Sequence, residues 1–271
     1  MISISDREFA QFSNFVRDNY GINLRKEKKT LVEARLNGVL EENGFSCFED
    51  YLRFVVEDKT GNRLEVLINK ITTNHTFFMR EFEHFKYFRD VVLPYLYKSI
   101  ADKDLRTWSA GCSSGEEAYT LAMVIADFFQ KEKLWWNTKI LATDISTRVL
   151  ETAKAGVYME EQLTSVSESW RRDYFSKLDI SRYKISDSIK NEIIFRRFNL
   201  MEERFPFRRK FHVIFCRNVM IYFDTETKQK LVSKFYDMTE PGGYLFTGHS
   251  ESITNLKTGY KYIMPAVYRK V

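Results

Sequence analysis

Residues 105–117, LRTWSAGCSSGEE, restrict this chain to a narrow set of folds. A short apolar run (Leu105 to Ser109), a glycine-bounded turn (Gly111-Cys-Ser-Ser-Gly115) and a helix opening on Glu116 and Glu117 follow one another without a break. Strand, glycine-rich turn and helix N-terminus together form the usual seat of an adenine nucleotide in a doubly wound α/β sheet. A helix N-terminus normally attracts phosphate, through free N–H groups and partial positive charge. Two carboxylates there repel a dinucleotide. They suit a ligand that keeps the adenosine but carries a cationic amino acid in place of phosphate, a description that S-adenosylmethionine (SAM) meets. The plainer alternative is that Glu116 and Glu117 only stabilise the helix start, at about 0.3–1 kcal/mol each. The turn has neither G-x-G-x-x-G nor the G-K-[ST] of a P-loop, so the rest of the chain must decide.

A length of 271 residues fits one large domain or two unequal ones, and 44% hydrophobic residues can build a substantial core. No apolar run reaches the roughly 18 residues of a membrane span, and the start, MISISDREF, lacks a signal-peptide pattern. Three scattered cysteines (Cys47, Cys112, Cys216) do not make a disulfide framework and point to a reducing compartment. Four histidines (His75, His84, His212, His249) form no H-E-x-x-H pair, so no metal centre is expected. The net charge of +5 is unevenly spread, with twelve Lys/Arg against six Asp/Glu in residues 170–210 and a second run at Arg25, Lys26, Lys28 and Lys29. Most such runs are solvated faces; the functional alternative is an acidic partner, either nucleic acid or protein.

The first eighty or so residues read as helices. Ser5 to Glu8 is a capping box leading into Phe9, Phe12, Phe15 and Val16 on one face, with Gly21 placed to end that helix. Leu31, Ala34, Leu36, Val39 and Leu40 mark a second helix, with the basic run at its start and Asn43-Gly44 at its end. Ser46 to Glu49 reads as another capping box opening a third helix, and Leu64, Leu67, Ile68 and Ile71 mark a fourth. After about residue 100, strand-like runs alternate with helices: 107–110, helix 115–133, 139–144, helix 146–155, 193–198, 211–216, a helix near 225–239, and 243–247. That alternation implies a parallel sheet covered on both faces. Residues 157–192 hold neither glycine nor proline and break the rhythm. They read as an insertion, partly helical and then extended at Arg182–Ile185 and Ile193–Arg197, forming a small antiparallel subdomain.

Four further places carry candidate chemistry. Asp144 ends the second strand, where an acidic residue accepts hydrogen bonds from ribose hydroxyls; its alternative role is a helix N-cap. Asn199-Leu200 follows another strand and offers an amide to an adenine edge. Phe211–Cys216 is a buried strand ending on Cys216-Arg217-Asn218, polar groups at the carboxyl end that face the ligand crevice. Residues 72–81, TTNHTFFMRE, pack hydroxyls, an amide and Arg80 into the junction between helices and sheet, a favoured place for ligands. Cys216 has no identifiable histidine partner and reads as an inert buried thiol rather than a nucleophile. His249, in Gly248-His-Ser-Glu251, lacks the G-x-S-x-G elbow of a hydrolase.

Taken together, TTNHTFFMRE (72–81), SAGCSSGEEAYTLA (109–122), ATDIS (142–146), FCRNVMIYFD (215–224) and GGYLFTGHSE (242–251) resemble the chemotaxis-receptor methyltransferase family, CheR. The resemblance covers nearly the whole chain in order. It implies a Rossmann-like SAM-dependent α/β methyltransferase domain (83–271, with an inserted antiparallel β subdomain at about 157–195) preceded by an all-helical N-terminal domain and linker (1–82). It implies that Asn74, Thr76, Arg80, Gly111, Glu117, Asp144, Asn199, Leu200, Cys216, Arg217 and Asn218 line the cofactor, with Arg80 and Tyr222 nearest the transferred methyl. The basic face (Arg25, Lys26, Lys28, Lys29, Arg35) would meet the acidic cytoplasmic helices of methyl-accepting chemotaxis receptors. The insertion has no glycine between Gly156 and Gly242, which argues against the longer glycine-containing loop that grips a receptor tethering peptide.

The expected activity is transfer of the SAM methyl group to receptor glutamates, leaving S-adenosylhomocysteine. The expected setting is a cytoplasmic monomer with no nucleic-acid partner and no membrane insertion. A nucleic-acid methyltransferase using the basic 170–210 segment is a rival, but the chain has Arg217-Asn218-Val219-Met220 where such enzymes carry an [ND]-P-P-[YF] clamp. A SAM-sensing adaptor without turnover is the other rival, and the presence of both Arg80 and Tyr222 argues against it.

Overall fold

The computed structural model describes residues 2–72 and 74–271; Met1, and Thr73 within the junction segment, lie outside the described residues. The chain opens with four helices, α1 (Asp6–Tyr20), α2 (Lys29–Glu42), α3 (Phe48–Val56) and α4 (Asn62–Ile71). Helix α1 starts at the expected capping box, with Glu8 N donating to Ser5 Oγ at 3.2 Å and Ser5 N donating to Glu8 Oε2 at 2.8 Å. It stops at Gly21, whose φ of 70° an L side chain adopts only with strain. Phe9, Phe12 and Val16 bury one face against Val32, Leu36, Leu40, Phe48, Tyr51, Leu67 and Ile68 from the other three helices.

The expected box at Ser46 does not form. Cys47 takes the N-cap position of α3 but its side chain accepts no capping hydrogen bond, donating instead to Asp50 Oδ2 at 3.2 Å. Instead the second oxygen of Glu8, Oε1, accepts from Phe48 N and Glu49 N at 2.9 and 3.1 Å. One carboxylate therefore closes two helix starts, the second of them 40 residues beyond Glu8. The basic run also falls differently: Arg25 is extended and Lys26–Lys28 form a 3-10 turn ahead of α2.

Between the helices and the sheet, where the sequence carries no clear signal, lie α5 (Phe82–Tyr87), a π-helical turn and α6 (Leu93–Ser99). The remaining chain alternates β1 (Thr107–Ala110), α7 (Glu116–Phe129), β2 (Ile140–Asp144) and α8 (Thr147–Ala155). Then come β3 (Val157–Met159), α9 (Glu168–Tyr174), β4 (Phe175–Lys177), β5 (Arg182–Ile185), α10 (Asp187–Lys190), β6 (Ile193–Arg197) and β7 (Phe211–Cys216). It closes with α11 (Thr225–Met238), β8 (Thr239–Thr247), β9 (Tyr260–Met264) and β10 (Val267–Lys270).

Seven strands form one sheet in the order β6-β2-β1-β7-β8-β10-β9. The first five are parallel, and β10 runs antiparallel to both β8 and β9. The sheet is thus mixed rather than wholly parallel. Its order reverses between β1 and β7, which opens a crevice at the carboxyl ends of those strands.

Ile193–Arg197 is corrected by the structure: it is the parallel edge strand beside β2, in register from Ile140↔Ile193 to Asp144↔Arg197. The antiparallel subdomain consists instead of β3-β5-β4. It docks on α7, where Asp127 accepts from Trp170 Nε1 and Tyr174 Oη, each at 2.5 Å. Among the contacts that tie the helical bundle to the sheet domain, Ser146 Oγ donates to Asn69 Oδ1 at 2.6 Å and Thr147 Oγ1 donates to Glu65. Among the described residues no helix is long and apolar enough to cross a membrane.

Glu8→Ala should cost about 1–3 kcal/mol, since it removes the capping box of α1 and the carboxylate that caps α3. Urea unfolding measures this. Burial raises the Glu8 pKa, but its hydrogen bonds outweigh burial and leave it below the usual value. A lowered carboxylate pKa adds stability that is present above the unfolded value and lost on acidification through the folded one. The gap between wild type and Glu8→Ala should therefore close as the pH falls below about 4.

Candidate active site

The crevice at the sheet reversal is a cleft of about 180 Å³ walled by β-strand ends on one side and the helical bundle on the other. The glycine-rich turn shapes its floor. Gly111 N and Cys112 N both donate to the Thr143 carbonyl, at 2.8 and 2.9 Å, which fastens the turn to β2. Gly111 has φ 92°, and a Cβ there would lie 2.3 Å from Val219 Cγ2, so only glycine fits between turn and wall. Asp144 holds the turn from below: Oδ2 accepts from Ser113 N at 2.9 Å and Oδ1 from Ser146 N at 3.0 Å. Ser146, not Asp144, caps α8. Burial pushes the Asp144 pKa up, while these N–H groups pull it back.

Glu117 leaves the first turn of α7 and also lines the cleft. Oε1 accepts from Ser109 Oγ at 2.7 Å, and Oε2 pairs with Arg217 Nη1 at 3.2 Å. Burial raises its pKa and Arg217 opposes the rise. Glu116 points the other way and is buried, accepting from Ser114 Oγ at 2.7 Å.

The Arg217 side chain is 2% exposed and bridges two carboxylates, with Nη2 3.2 Å from Glu81 Oε2. It also donates to the Arg80 carbonyl and lies 5.0 Å from the Phe85 ring centroid. Asn218 follows with φ 59° and reaches Glu81 Oε1 through Nδ2 at 3.3 Å. The turn they occupy is fixed by Glu251, which is 2% exposed. Its Oε2 accepts from Asn218 N and Gly248 N, both at 2.6 Å, and its Oε1 accepts from Ile221 N at 2.9 Å. Among the seven described non-glycine residues with positive φ, Met79, Glu81, Ser113 and Asn218 surround this site. Strain of that kind persists where neighbouring bonds impose it.

The remaining expected residues divide into two groups. Asn74, Thr76, Arg80, Asn199, Leu200 and Tyr222 line the cleft. Arg80 is half-buried, its Nη1 2.8 Å from the His75 carbonyl. The Asn199 amide is committed to backbone, donating to Asn19 O at 2.8 Å and accepting from Met201 N at 3.0 Å. Cys216 does not line the cleft: its thiol sits in the core on the Trp108 side of the sheet, and burial pushes it well above its usual pKa. The basic residues also separate. Arg25, Lys26 and Lys28 are exposed, and Lys28 borders the cleft. Lys29 pairs with Asp6 at 2.6 Å, and Arg35 Nη1 donates to the Ile71 carbonyl at 2.8 Å, closing the end of α4.

Three contributors escape the sequence reading. Glu81 and Glu251 lie inside the quoted motifs but have no local pattern that marks a role. Tyr20, Ile22, Asn23 and Leu24 supply the far wall, fastened by Asn23 N donating to the Tyr222 carbonyl at 2.8 Å.

Half-buried carboxylates at the end of β2 (Asp144) and the start of α7 (Glu117) have the acceptors and charge to fit the SAM ribose hydroxyls and its cationic end. This sheet order and site define a SAM-dependent methyltransferase. The CheR methyltransferase SAM binding domain matches residues 74–268, and the CheR methyltransferase all-alpha domain matches residues 7–72. The chain belongs to the CheR methyltransferase family. It is 42% identical over 273 residues to the chemotaxis protein methyltransferase of Borreliella burgdorferi, covering 99% of this chain and 96% of that one. Similarity extends to chemotaxis protein methyltransferase 1 of Pseudomonas aeruginosa (34% identical, 97% and 96% covered). The Escherichia coli chemotaxis protein methyltransferase is 32% identical, with 98% and 92% covered.

Glu251→Gln replaces an acceptor of three backbone N–H groups with an amide that turns donors toward at least one of them. It should cost about 1–3 kcal/mol of stability in urea unfolding. The loosened Arg217–Tyr222 turn should also weaken S-adenosylhomocysteine binding in calorimetry; unchanged affinity would detach the turn from the cofactor.

Proposed function

We propose that this enzyme methylates glutamate side chains on the cytoplasmic helical domain of chemotaxis receptors, forming glutamate methyl esters. The observation that carries this reading is the separation of charge within one cleft. Its floor is acidic, with Glu117 and Asp144, while its mouth is cationic, with Arg80 and Lys28. An acidic floor suits the cationic end and ribose of the cofactor. A cationic mouth suits an incoming carboxylate.

A glutamate carboxylate is already ionised near neutral pH, so it needs no general base. When bound, SAM supplies a methyl group made electrophilic by the sulfonium. The chain's contribution is positioning, which holds reacting groups in line and excludes competing geometries. Arg80, half-buried in the wall, draws the substrate carboxylate by charge-assisted hydrogen bonding. Tyr222 presents its ring and hydroxyl beside it. Asp144 holds the ribose, and the Arg217–Glu117 pair faces the methionine end.

The helical N-terminal domain and linker (1–82) face the receptor through the helices and line the cleft through the linker residues Asn74, Thr76 and Arg80, while 83–271 forms the cofactor-binding domain, the whole working as a monomer in the cytoplasm. Docking falls to Arg25, Lys26 and Lys28. Lys29 and Arg35 are occupied by Asp6 and the end of α4, so they are structural in this reading.

Labelled SAM added with receptor-enriched membranes should give base-labile label released as methanol. Base-stable product would overturn glutamate as the acceptor. Charge reversal of Arg25, Lys26 and Lys28 together should lower transfer about tenfold at low salt, with less effect at high salt. Asp144→Ala should weaken S-adenosylhomocysteine binding by about 10-fold or more, the worth of a charged hydrogen bond. Calorimetry reads that loss independently of the receptor.

A further inference from the structure

We infer that Glu81, His84 and His249 form a transition-metal site behind the Arg217 wall of the cleft, where Zn²⁺ binding antagonises the cofactor. One ligand atom from each residue lies within 4.8 Å of the other two. His84 Nδ1 is 3.3 Å from Glu81 Oε2. Four-coordinate zinc, with bonds near 2.0–2.1 Å, places its ligand atoms about 3.4 Å apart. That pair already has the required spacing. Only His249 has to close in, and it is exposed and free to do so.

The independent sign of a ligand is His84 itself. Its side chain is 0% exposed, and apart from the 3.3 Å approach of Nδ1 to Glu81 Oε2 neither ring nitrogen makes a well-directed hydrogen bond. Buried polar atoms are rarely left unpaired, because desolvation without a partner costs free energy. The ring is wedged edge-on between Phe246 and His249, at centroid distances of 5.8 and 4.7 Å. Its nitrogens are therefore held in place beside Glu81.

Two imidazoles and a carboxylate suit Zn²⁺, Co²⁺ or Ni²⁺ rather than the all-oxygen preference of Mg²⁺ or Ca²⁺. The carboxylate is also held from outside: Asn218 Nδ2 and His249 N donate to Glu81 Oε1 at 3.3 and 3.4 Å. Such outer bonds orient a ligand for its metal. The exposed side of His249 leaves the fourth position to water.

The antagonism follows from Glu81 Oε2, the oxygen that also pairs with Arg217. A metal ion drawing on Oε2 leaves Arg217 with Glu117 as its one carboxylate partner. Arg217 then neutralises the acid that the proposed function assigns to the cationic end of SAM. Coupling between two sites is reciprocal, so the cofactor must weaken the metal to the same degree. This consequence rests on the proposed cofactor role of Glu117; the metal site does not.

The full chain is titrated with Zn²⁺ by calorimetry, with and without S-adenosylhomocysteine, and with Co²⁺ by visible absorption. One equivalent should bind, with the d–d bands of a four-coordinate Co²⁺ site. His249→Ala, a change on the surface, should weaken binding about 10-fold or more. Cys47→Ser and His75→Ala should leave it unchanged. Equal Zn²⁺ affinity in His249→Ala, loss in Cys47→Ser, or no stoichiometric binding would each overturn the site. Zn²⁺ binding that leaves S-adenosylhomocysteine affinity unchanged would overturn the antagonism. Failure of methyl transfer to receptors would overturn the proposed function and leave both binding results standing.

Discussion

A single buried guanidinium holds the functional end of this sheet together. Arg217 leaves β7 and reaches Glu117, 100 residues earlier on α7, and Glu81, 136 residues earlier in the junction segment. Three stretches of chain with no local reason to meet are thus fixed around one charge. Removing one partner of a buried pair typically costs about 3–5 kcal/mol, because the charge left behind is unpaired. With two carboxylates to one guanidinium, the cluster keeps a net negative charge when all three are ionised. A neutral pair would close the wall equally well but would offer a cationic ligand nothing.

The cluster is held from a second level. Glu251 takes three backbone N–H groups and so fixes the turn that aims Arg217 and Asn218. Asp144 does the same for the glycine-rich turn through Ser113 and Ser146. Both carboxylates, Glu251 buried and Asp144 half-buried, are spent on backbone donors, and both sit where the chain adopts positive φ. Preorganised polar groups of this kind need little rearrangement when a charged ligand arrives.

Much of this was legible in the sequence, for identifiable reasons. The β1–turn–α7 segment, the Ser5 capping box and the run ending on Asp144 are local patterns, and local patterns survive folding. Glu8 shows the limit: its link to Ser5 lies three residues away, but its cap on Phe48 spans 40 residues. Ile193–Arg197 misled because an edge strand with one neighbour buries alternate positions (Ile193 and Phe195), as an antiparallel strand does. The β9–β10 hairpin, YKYIM and VYRK, mixes lysine and tyrosine too freely to announce itself. Arg35 looked like part of a basic face, and only the position of Ile71 reveals it as a helix cap. Glu81, His84 and His249 escaped a spacing-based search because the third ligand lies 165 residues beyond the second.

The far wall of the cleft has a consequence for how the two halves cooperate. Asn199 on the cofactor side donates to Asn19 O, and Asn23 donates to the carbonyl of Tyr222. Of the partners on the bundle side, Asn19 lies in the last turn of α1 and Asn23 in the segment joining α1 to the basic turn at Lys26–Lys28. The basic turn thus lies only a few residues along the chain from the contacts with the Asn199 loop and with Tyr222. The same segment also covers the cleft, through Tyr20, Ile22 and Leu24. The end of α1 and the segment after it therefore both wall the cleft and lead directly into the basic turn.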